Sequence, residues 1–200
     1  MDQEILDKLA IREVIDGWII WSDSGDWERF KTVWHPGAVM SATWFQAPAE
    51  DFMRARREGW ERGVSIIHFQ GGTTVELKGN RAIAQTKMII SQRAKVHEVL
   101  CDVNCMGRFY DFFEKRDGRW AICRRQPIYE KDWITSVDSQ QTIKLDPKIL
   151  ESYPEGYRHL AYLQAGIGYN VGRDRPGLKG PIVEALYERG KNWLEGGPAI

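Results

Sequence analysis

The chain has 200 residues, which is enough for one ordinary domain with an elaborated tail. Its 28 Lys and Arg residues balance its 28 Asp and Glu residues, so the surplus positive charge that nucleic-acid binding requires is missing. No basic stripe compensates locally, because Arg54, Arg56, Arg57 and Arg62 are interleaved with acidic residues. Hydrophobic residues make up 42% of the chain, which excludes disorder, but no apolar run is long enough to span a membrane. We therefore expect a globular protein without nucleic-acid or membrane partners.

The first sixty residues are predicted to be mainly helical. Apolar residues recur three and four positions apart over residues 2–21, which predicts an amphipathic helix with Asp2 as its N-cap. A short second helix is predicted over residues 27–34, a strand over 39–45 and a third helix over 48–60.

The middle of the chain changes to a period of two, which predicts long strands. The strand-like segments are residues 73–77, 81–92, 96–114 and 119–130, with a further apolar strand around His68. Tight turns separate some of them, at Lys78-Gly79-Asn80 and Arg116-Asp117-Gly118. Helices followed by a meander of long strands predict an α+β fold, in which N-terminal helices pack in a curved antiparallel sheet around a conical cavity.

One strand face also predicts self-association. Phe109, Asp111 and Phe113 alternate along the segment 96–114, and we interpret them as a half-buried outer face of the sheet. Because polar residues do not fully cover such a face, we expect a homo-oligomer, either a dimer or a trimer.

The composition shifts after Asp138, and helices are predicted near residues 147–152, 154–166 and 181–194. A tail of about sixty residues cannot bury a core of its own. We therefore divide the chain into an α+β barrel domain over residues 1–137 and a C-terminal helical extension over 138–200. The extension is expected to pack on the barrel or on a neighbouring subunit.

The aromatic and cysteine contents bear on ligands and on location. Nine Trp residues exceed the seven Tyr and the seven Phe, which indicates either a Trp-rich core or a pocket for a flat apolar ligand. The three cysteines are an odd set without a zinc-binding spacing. We expect no metal site, no cofactor and a cytoplasmic location.

Acid–base chemistry is the activity for which the sequence offers residues. Asp23 follows an apolar helix, where it is either a solvated turn residue or a carboxylate aimed into the cavity. His68 has apolar neighbours, where it is either a satisfied core histidine or a base. Arg124 and Arg125 are consecutive in a strand, so one of them points inward and needs a carboxylate or an oxyanion as its partner.

Two segments resemble a known family. They are residues 7–30, DKLAIREVIDGWIIWSDSGDWERF, and residues 107–125, GRFYDFFEKRDGRWAICRR. Both are similar to the SnoaL-like branch of the nuclear transport factor 2-like superfamily, which includes scytalone dehydratase, bile-acid dehydratase and ketosteroid isomerase. The resemblance implies a cone-shaped α+β barrel with a hydrophobic pocket and cofactor-free chemistry. It also implies that Asp23 pairs with His68, whereas a tyrosine often found in the family is replaced by Trp18.

The preferred hypothesis is a cofactor-free lyase of aromatic compound catabolism. It would dehydrate a bulky hydrophobic aromatic substrate, or release formaldehyde from a lignin-derived diaryl compound by a retro-aldol reaction. His68 would remove a proton, Asp23 would orient the imidazole and Arg125 would stabilise an oxyanion. The residues expected to bind the substrate are Trp18, Trp21, Trp44, Arg108 and Tyr129. Two alternatives stay open: an isomerase or cyclase of a polyketide or steroid-like molecule, and a protein that binds an apolar ligand without turnover.

Overall fold

The computed structural model describes residues 2–199 as six helices and six strands. In chain order they are α1 (Gln3–Ser24), α2 (Trp27–Thr32), β1 (Trp34–Ser41), β2 (Gln46–Pro48), α3 (Ala49–Glu61), β3 (Ser65–Lys78), β4 (Arg81–Val96), β5 (Val99–Arg116), β6 (Arg119–Ser136), α4 (Pro147–Glu151), α5 (Arg158–Gly166) and α6 (Pro181–Leu194).

The six strands form one curved, unclosed sheet in the order β2-β1-β6-β5-β4-β3. Strands β3 to β6 make an antiparallel meander, and β1 joins its edge in parallel with β6. Helix α1 packs on the concave face against β3 and β6, and α3 packs against β1. The predicted α+β class, with N-terminal helices inside a curved sheet, is confirmed.

The end of α1 carries Asp23 toward the sheet. Asp2 caps the helix by accepting a hydrogen bond from the backbone N–H of Glu4. The helix does not stop at residue 21 as predicted but continues for almost another turn, and Gly25 closes it in the left-handed conformation at φ 74°. Asp23 therefore lies in the last turn of α1 rather than in the turn that follows the helix.

Two strand predictions are wrong in position. Strand β1 begins at Trp34 rather than at residue 39, and the segment 96–114 is interrupted by a two-residue turn at His97 and Glu98. Both turn residues have positive φ, 48° and 66°, which is the geometry of a tight hairpin. Asn and Gly usually occupy such positions, so His97 and Glu98 carry no compositional signal of a turn.

The interpretation of Phe109, Asp111 and Phe113 as a half-buried outer face is also wrong. All three side chains are fully buried, and Phe109 and Phe113 belong to the main core beside α1. The opposite face of β5 carries Tyr110 and Phe112, which are covered by α6. These buried residues therefore give no reason to expect self-association through this face of the sheet.

The C-terminal helices pack on both faces of the sheet. Helix α5 contacts β4, β5 and β6, and its apolar side chains join the same core as α1. Asp132 of β6 fixes its start by accepting hydrogen bonds from the backbone N–H groups of His159, at 2.6 Å, and Leu160, at 2.8 Å. Helix α6 lies on the other face against β4. No helix within residues 2–199 is long and apolar enough to cross a membrane.

Candidate active site

A narrow, mainly apolar pocket lies between the helices and the concave face of the sheet. Its cavity volume is about 40 Å³. Its wall consists of Trp18, Met40, Ala42, Thr43, Trp44, Phe52, Arg56, Ile66, His68, Ile90, Phe109, Pro127, Tyr129, Leu160 and Gln164. This volume is far below the roughly 300–1,000 Å³ of a typical small-molecule pocket, so a ligand would have to displace side chains.

His68 is held in the pocket wall by Asp23. The carboxylate accepts two hydrogen bonds from this one residue, from the backbone N–H at 2.5 Å and at Nδ1 of the ring at 2.8 Å. The side chains of both residues are largely buried, with exposed fractions of 8% and 15%. Because a carboxylate only accepts hydrogen bonds, Nδ1 carries the proton in this contact and Nε2 of the neutral ring is free to accept one.

The imidazole of His68 lies among aromatic rings. The centroid of the Trp18 ring lies 5.1 Å from that of the imidazole in an edge-to-face arrangement, and the centroid of Phe109 lies 6.3 Å away. These rings surround the imidazole with apolar atoms, and Asp23 is its charged hydrogen-bond partner. The structure therefore brings together the two residues that the sequence predicted to meet; their catalytic role stays a prediction.

Arg56 is a pocket residue that the sequence analysis did not single out. It projects from α3, is only 4% exposed and donates from Nη2 to Asp23 at 3.4 Å and to the carbonyl oxygen of Ile66 at 3.2 Å. The buried positions of α3 lie three, four and three residues apart, at Ala49, Phe52, Arg56 and Gly59. That spacing marks one helix face and was the signal that could have separated Arg56 from its exposed neighbours.

Arg125 points inward as expected but does not reach the pocket. Its side chain is fully buried and makes two hydrogen bonds of 2.7 Å to the two carboxylate oxygens of Asp111. The guanidinium carbon lies 4.3 Å from the ring centroid of Trp18 and 4.1 Å from that of Phe109. Arg125 thus supports the two rings behind the pocket wall, and the prediction that it touches substrate is corrected.

The predicted substrate-binding residues divide into two groups. Trp18, Trp44 and Tyr129 line the pocket as predicted. Trp21 lines a different surface groove, and Arg108 binds Glu130 at 2.5 Å on the opposite face of the sheet. Neither residue lines the pocket. Arg108 was misplaced because period-two alternation does not tell which face of a strand lies inside.

Most of the tryptophans have structural roles. Only two of the nine, Trp18 and Trp44, line the pocket. Trp120 donates its indole N–H to Asp7 at 2.8 Å, and Trp193 of α6 donates to the carbonyl oxygen of Phe113 at 3.2 Å. The tryptophan surplus therefore reflects core packing at least as much as ligand binding.

The C-terminal extension supplies part of the pocket wall in its own chain. Leu160 and Gln164 of α5 line the cavity. Gln164 accepts a hydrogen bond from the Thr43 hydroxyl at 2.6 Å and donates one to Gln92 at 3.1 Å, which ties the helix to β4. Tyr169, just after α5, packs its ring 4.7 Å from that of Trp44.

The remaining ionisable groups near the pocket are tuned by burial. Burial raises the pKa of Tyr129 well above its usual range, so its hydroxyl is neutral and serves as a hydrogen-bonding group rather than as a base. Within residues 2–199, no group of three or more His, Cys, Asp or Glu residues is placed to hold a metal ion. The side chains that remain for chemistry are His68, Asp23 and Arg56.

Comparison with known sequences identifies relatives along the whole chain. The sequence model of the SnoaL-like domain family matches residues 3–126. A PEP2-like protein of the fungus Fusarium vanettenii is 36% identical, over 98% of this chain and 88% of its own length. Pea pathogenicity protein 2 of the same fungus is 35% identical with the same coverage. Unlike the family model, these relatives also match the C-terminal extension.

Comparison with solved structures finds the same fold at low sequence identity. A candidate scytalone dehydratase from Novosphingobium aromaticivorans is 16% identical, with a TM-score of 0.54 over 70% of this chain and 91% of its own. The hexachlorocyclohexane dehydrochlorinase LinA-type3 from Novosphingobium barchaimii is 14% identical, with a TM-score of 0.55 over 71% of this chain and 97% of its own. These likenesses show the fold.

Proposed function

The chain belongs to the SnoaL-like branch of the nuclear transport factor 2-like superfamily, and from this premise we propose that it is a cofactor-free lyase of the dehydratase type. The substrate is an apolar aromatic molecule bound between Trp18 and Trp44. The observation that carries the proposal is the 2.8 Å contact between Nδ1 of His68 and Asp23, in a wall otherwise built mainly from apolar side chains. That contact leaves Nε2 of His68 as a base in a mainly apolar pocket.

The roles of the two residues follow from their hydrogen bonds. Nε2 of His68 takes a proton from the substrate, and the carboxylate of Asp23 stabilises the imidazolium that forms. Asp23 also fixes the ring orientation, since it binds the backbone N–H of the same residue at 2.5 Å. A positioned base of this kind contributes about 10²–10⁴-fold to a rate. The proton returns to the departing hydroxyl group, which leaves as water.

The size of the pocket bears on the substrate. Because the cavity volume is only about 40 Å³, any aryl ring has to displace wall side chains, and a diaryl compound has to displace more of them than a single ring. This favours a single-ring substrate over the diaryl compound considered from the sequence.

The test is product analysis with a panel of aryl β-hydroxy ketones, followed by mass spectrometry. Loss of water is the expected result; loss of formaldehyde would contradict dehydration, and an unchanged mass with altered retention would identify an isomerase. His68→Gln and Asp23→Asn are expected to lose about 10²–10⁴-fold in rate. The matched control is His97→Gln, because His97 binds the hydroxyl of Tyr162 outside the pocket wall. Full activity in both site variants would refute the assignment, and absence of turnover on any substrate would favour a ligand carrier.

A further inference from the structure

Arg56 has hydrogen-bonding capacity that the protein does not use. Among residues 2–199, only its Nη2 has acceptors, and its buried Nε has none. A guanidinium carries five N–H donors and stays charged at neutral pH. A buried cation with unused donors is costly unless a ligand completes its shell.

Asp23 contacts only one nitrogen of this cation, and at a long distance. Its Oδ1 lies 3.4 Å from Nη2 of Arg56 but 2.8 Å from Nδ1 of His68, and its Oδ2 accepts the backbone N–H of His68 at 2.5 Å. Both carboxylate oxygens of Asp23 thus make their short hydrogen bonds to His68. Arg125 differs, because its Nε and Nη2 each lie 2.7 Å from a carboxylate oxygen of Asp111, although its Nη1 is also buried without a partner. Arg56 is the arginine of this kind that lines the pocket.

The location of the unused donors indicates what they bind. Arg56 and His68 both line the pocket, and both contact Asp23. A ligand in this pocket therefore has both residues in its wall. Elsewhere the wall is mostly aromatic and aliphatic, with Thr43 and Gln164 as its other polar side chains apart from the buried hydroxyl of Tyr129. An oxygen that develops negative charge finds its cationic partner at Arg56.

We propose that Arg56 is a catalytic residue that binds the carbonyl oxygen of the substrate and stabilises it as an enolate. This proposal rests on the proposed function and narrows the substrate to an aryl β-hydroxy carbonyl compound. Nε2 of His68 removes the proton from the carbon between the carbonyl and the hydroxyl-bearing carbon. The C–H electron pair forms the C=C bond of the enolate, and the C=O pair moves onto the oxygen that faces Arg56.

Elimination then completes the reaction without a cofactor. The enolate oxygen re-forms the C=O bond, and its C=C pair forms the new double bond to the neighbouring carbon. The C–O bond to the hydroxyl group breaks, and the departing hydroxide takes the proton from His68 as water. The products are an α,β-unsaturated carbonyl compound and water, and His68 is neutral again. A preorganised cationic donor acts where charge develops, which is the arrangement that lowers the barrier.

The test uses 4-nitrophenol as a probe of oxyanion binding, independently of turnover. At the pH where half of the free probe is ionised, binding to the wild-type protein is expected to increase the phenolate absorption band. Arg56→Met is expected to weaken phenolate binding about 10- to 100-fold, the range for a hydrogen bond to a charged group. Affinity for nitrobenzene, which has no ionisable oxygen, is expected to stay nearly constant. Arg54→Met is the matched control, since Arg54 lies on the same helix, is exposed and binds Asp51 at 2.6 Å.

Several results would overturn the proposal. These are no increase in bound phenolate with the wild-type protein, an Arg56→Met variant that keeps its phenolate preference, or one that loses nitrobenzene affinity equally. Loss of the preference in His68→Gln would also overturn it, because the imidazolium would then be the anion partner. If Arg56→Met does not fold, Arg56→Gln serves in its place, since it keeps a donor for the carbonyl oxygen of Ile66. Phenolate binding without turnover of aryl β-hydroxy ketones would refute the lyase function alone.

Discussion

Replacing Arg125 by methionine removes one partner of an ion pair that is completely buried. Asp111 and Arg125 are both 0% exposed and share two hydrogen bonds of 2.7 Å. The variant leaves a carboxylate in the core without its cation, which costs about 3–5 kcal/mol. Since domains are stable by about 5–15 kcal/mol, this loss is a large share of the free energy of unfolding. Urea denaturation followed by tryptophan fluorescence measures it.

Two further variants separate the lost charge partner from lost packing. The double variant Asp111→Leu/Arg125→Met removes both charges, and it is expected to recover most of the free energy of unfolding, because an apolar pair needs no compensation. Arg93→Met is the exposed control. Arg93 binds Asp102 in the same two-bond geometry, at 2.7 and 2.6 Å, but solvent screens that pair, so the free energy of unfolding should hardly change.

The pH dependence gives the same prediction an independent check. Burial raises the pKa of Asp111, and Arg125 opposes that rise. Without Arg125 the pKa rises further, so the folded state of the variant binds a proton that the unfolded chain has released above about pH 4. The stability of Arg125→Met relative to the wild type should therefore fall as the pH rises from 4 toward 8. A deficit independent of pH, or a double variant no more stable than the single one, would refute this reasoning.

Three other predictions concern the rest of the fold. Trp193→Ala should lower the free energy of unfolding by about 3–5 kcal/mol, because the 4% exposed ring packs α6 on the sheet and its N–H binds the carbonyl oxygen of Phe113; urea denaturation measures this, and a loss below about 1 kcal/mol would contradict it. Burial raises the pKa of the Cys105 thiol well above its usual range, so iodoacetamide at pH 8 should leave it unmodified in the folded protein but alkylate it in urea, as peptide mass mapping would show; rapid native labelling would contradict this. The homo-oligomer stays a prediction and now rests on Ile67 and Phe69, which are 63% and 70% exposed on neighbouring positions of one β3 face. Light scattering of the wild type should give a multiple of 23.1 kDa and Phe69→Lys should lower it, whereas a wild-type monomer would refute it.

The sequence predicted best what depends on local periodicity. The apolar spacing of α1 and the alternation of the long strands determine which layers form, and turns at Gly79 and Gly118 set two of the hairpins. The meeting of Asp23 and His68 was predictable mainly through the family resemblance, since the two residues are 45 positions apart. No local pattern encodes a contact of that kind.

Other features depend on information that one sequence does not carry. Alternation along β5 separates Phe109 from Tyr110 but does not tell which face α6 covers, and this ambiguity misplaced Arg108. The burial of Arg56 was not predicted because the neighbouring arginines of α3 are exposed, although its spacing from Phe52 marked the buried face of the helix. The turn at His97 lacks the usual Asn or Gly, so its positive φ of 48° had no compositional signal.

Leu160 and Gln164 lie beyond residue 126, so the proposed reaction centre and part of the pocket wall are encoded in separate stretches of the chain. Mutation can reshape the part of the wall in α5 while the pair of Asp23 and His68 is inherited unchanged. Grafting the last sixty or so residues from a homologue would then retune substrate choice in a single exchange, provided that Thr43 and Gln92 still find a matching amide.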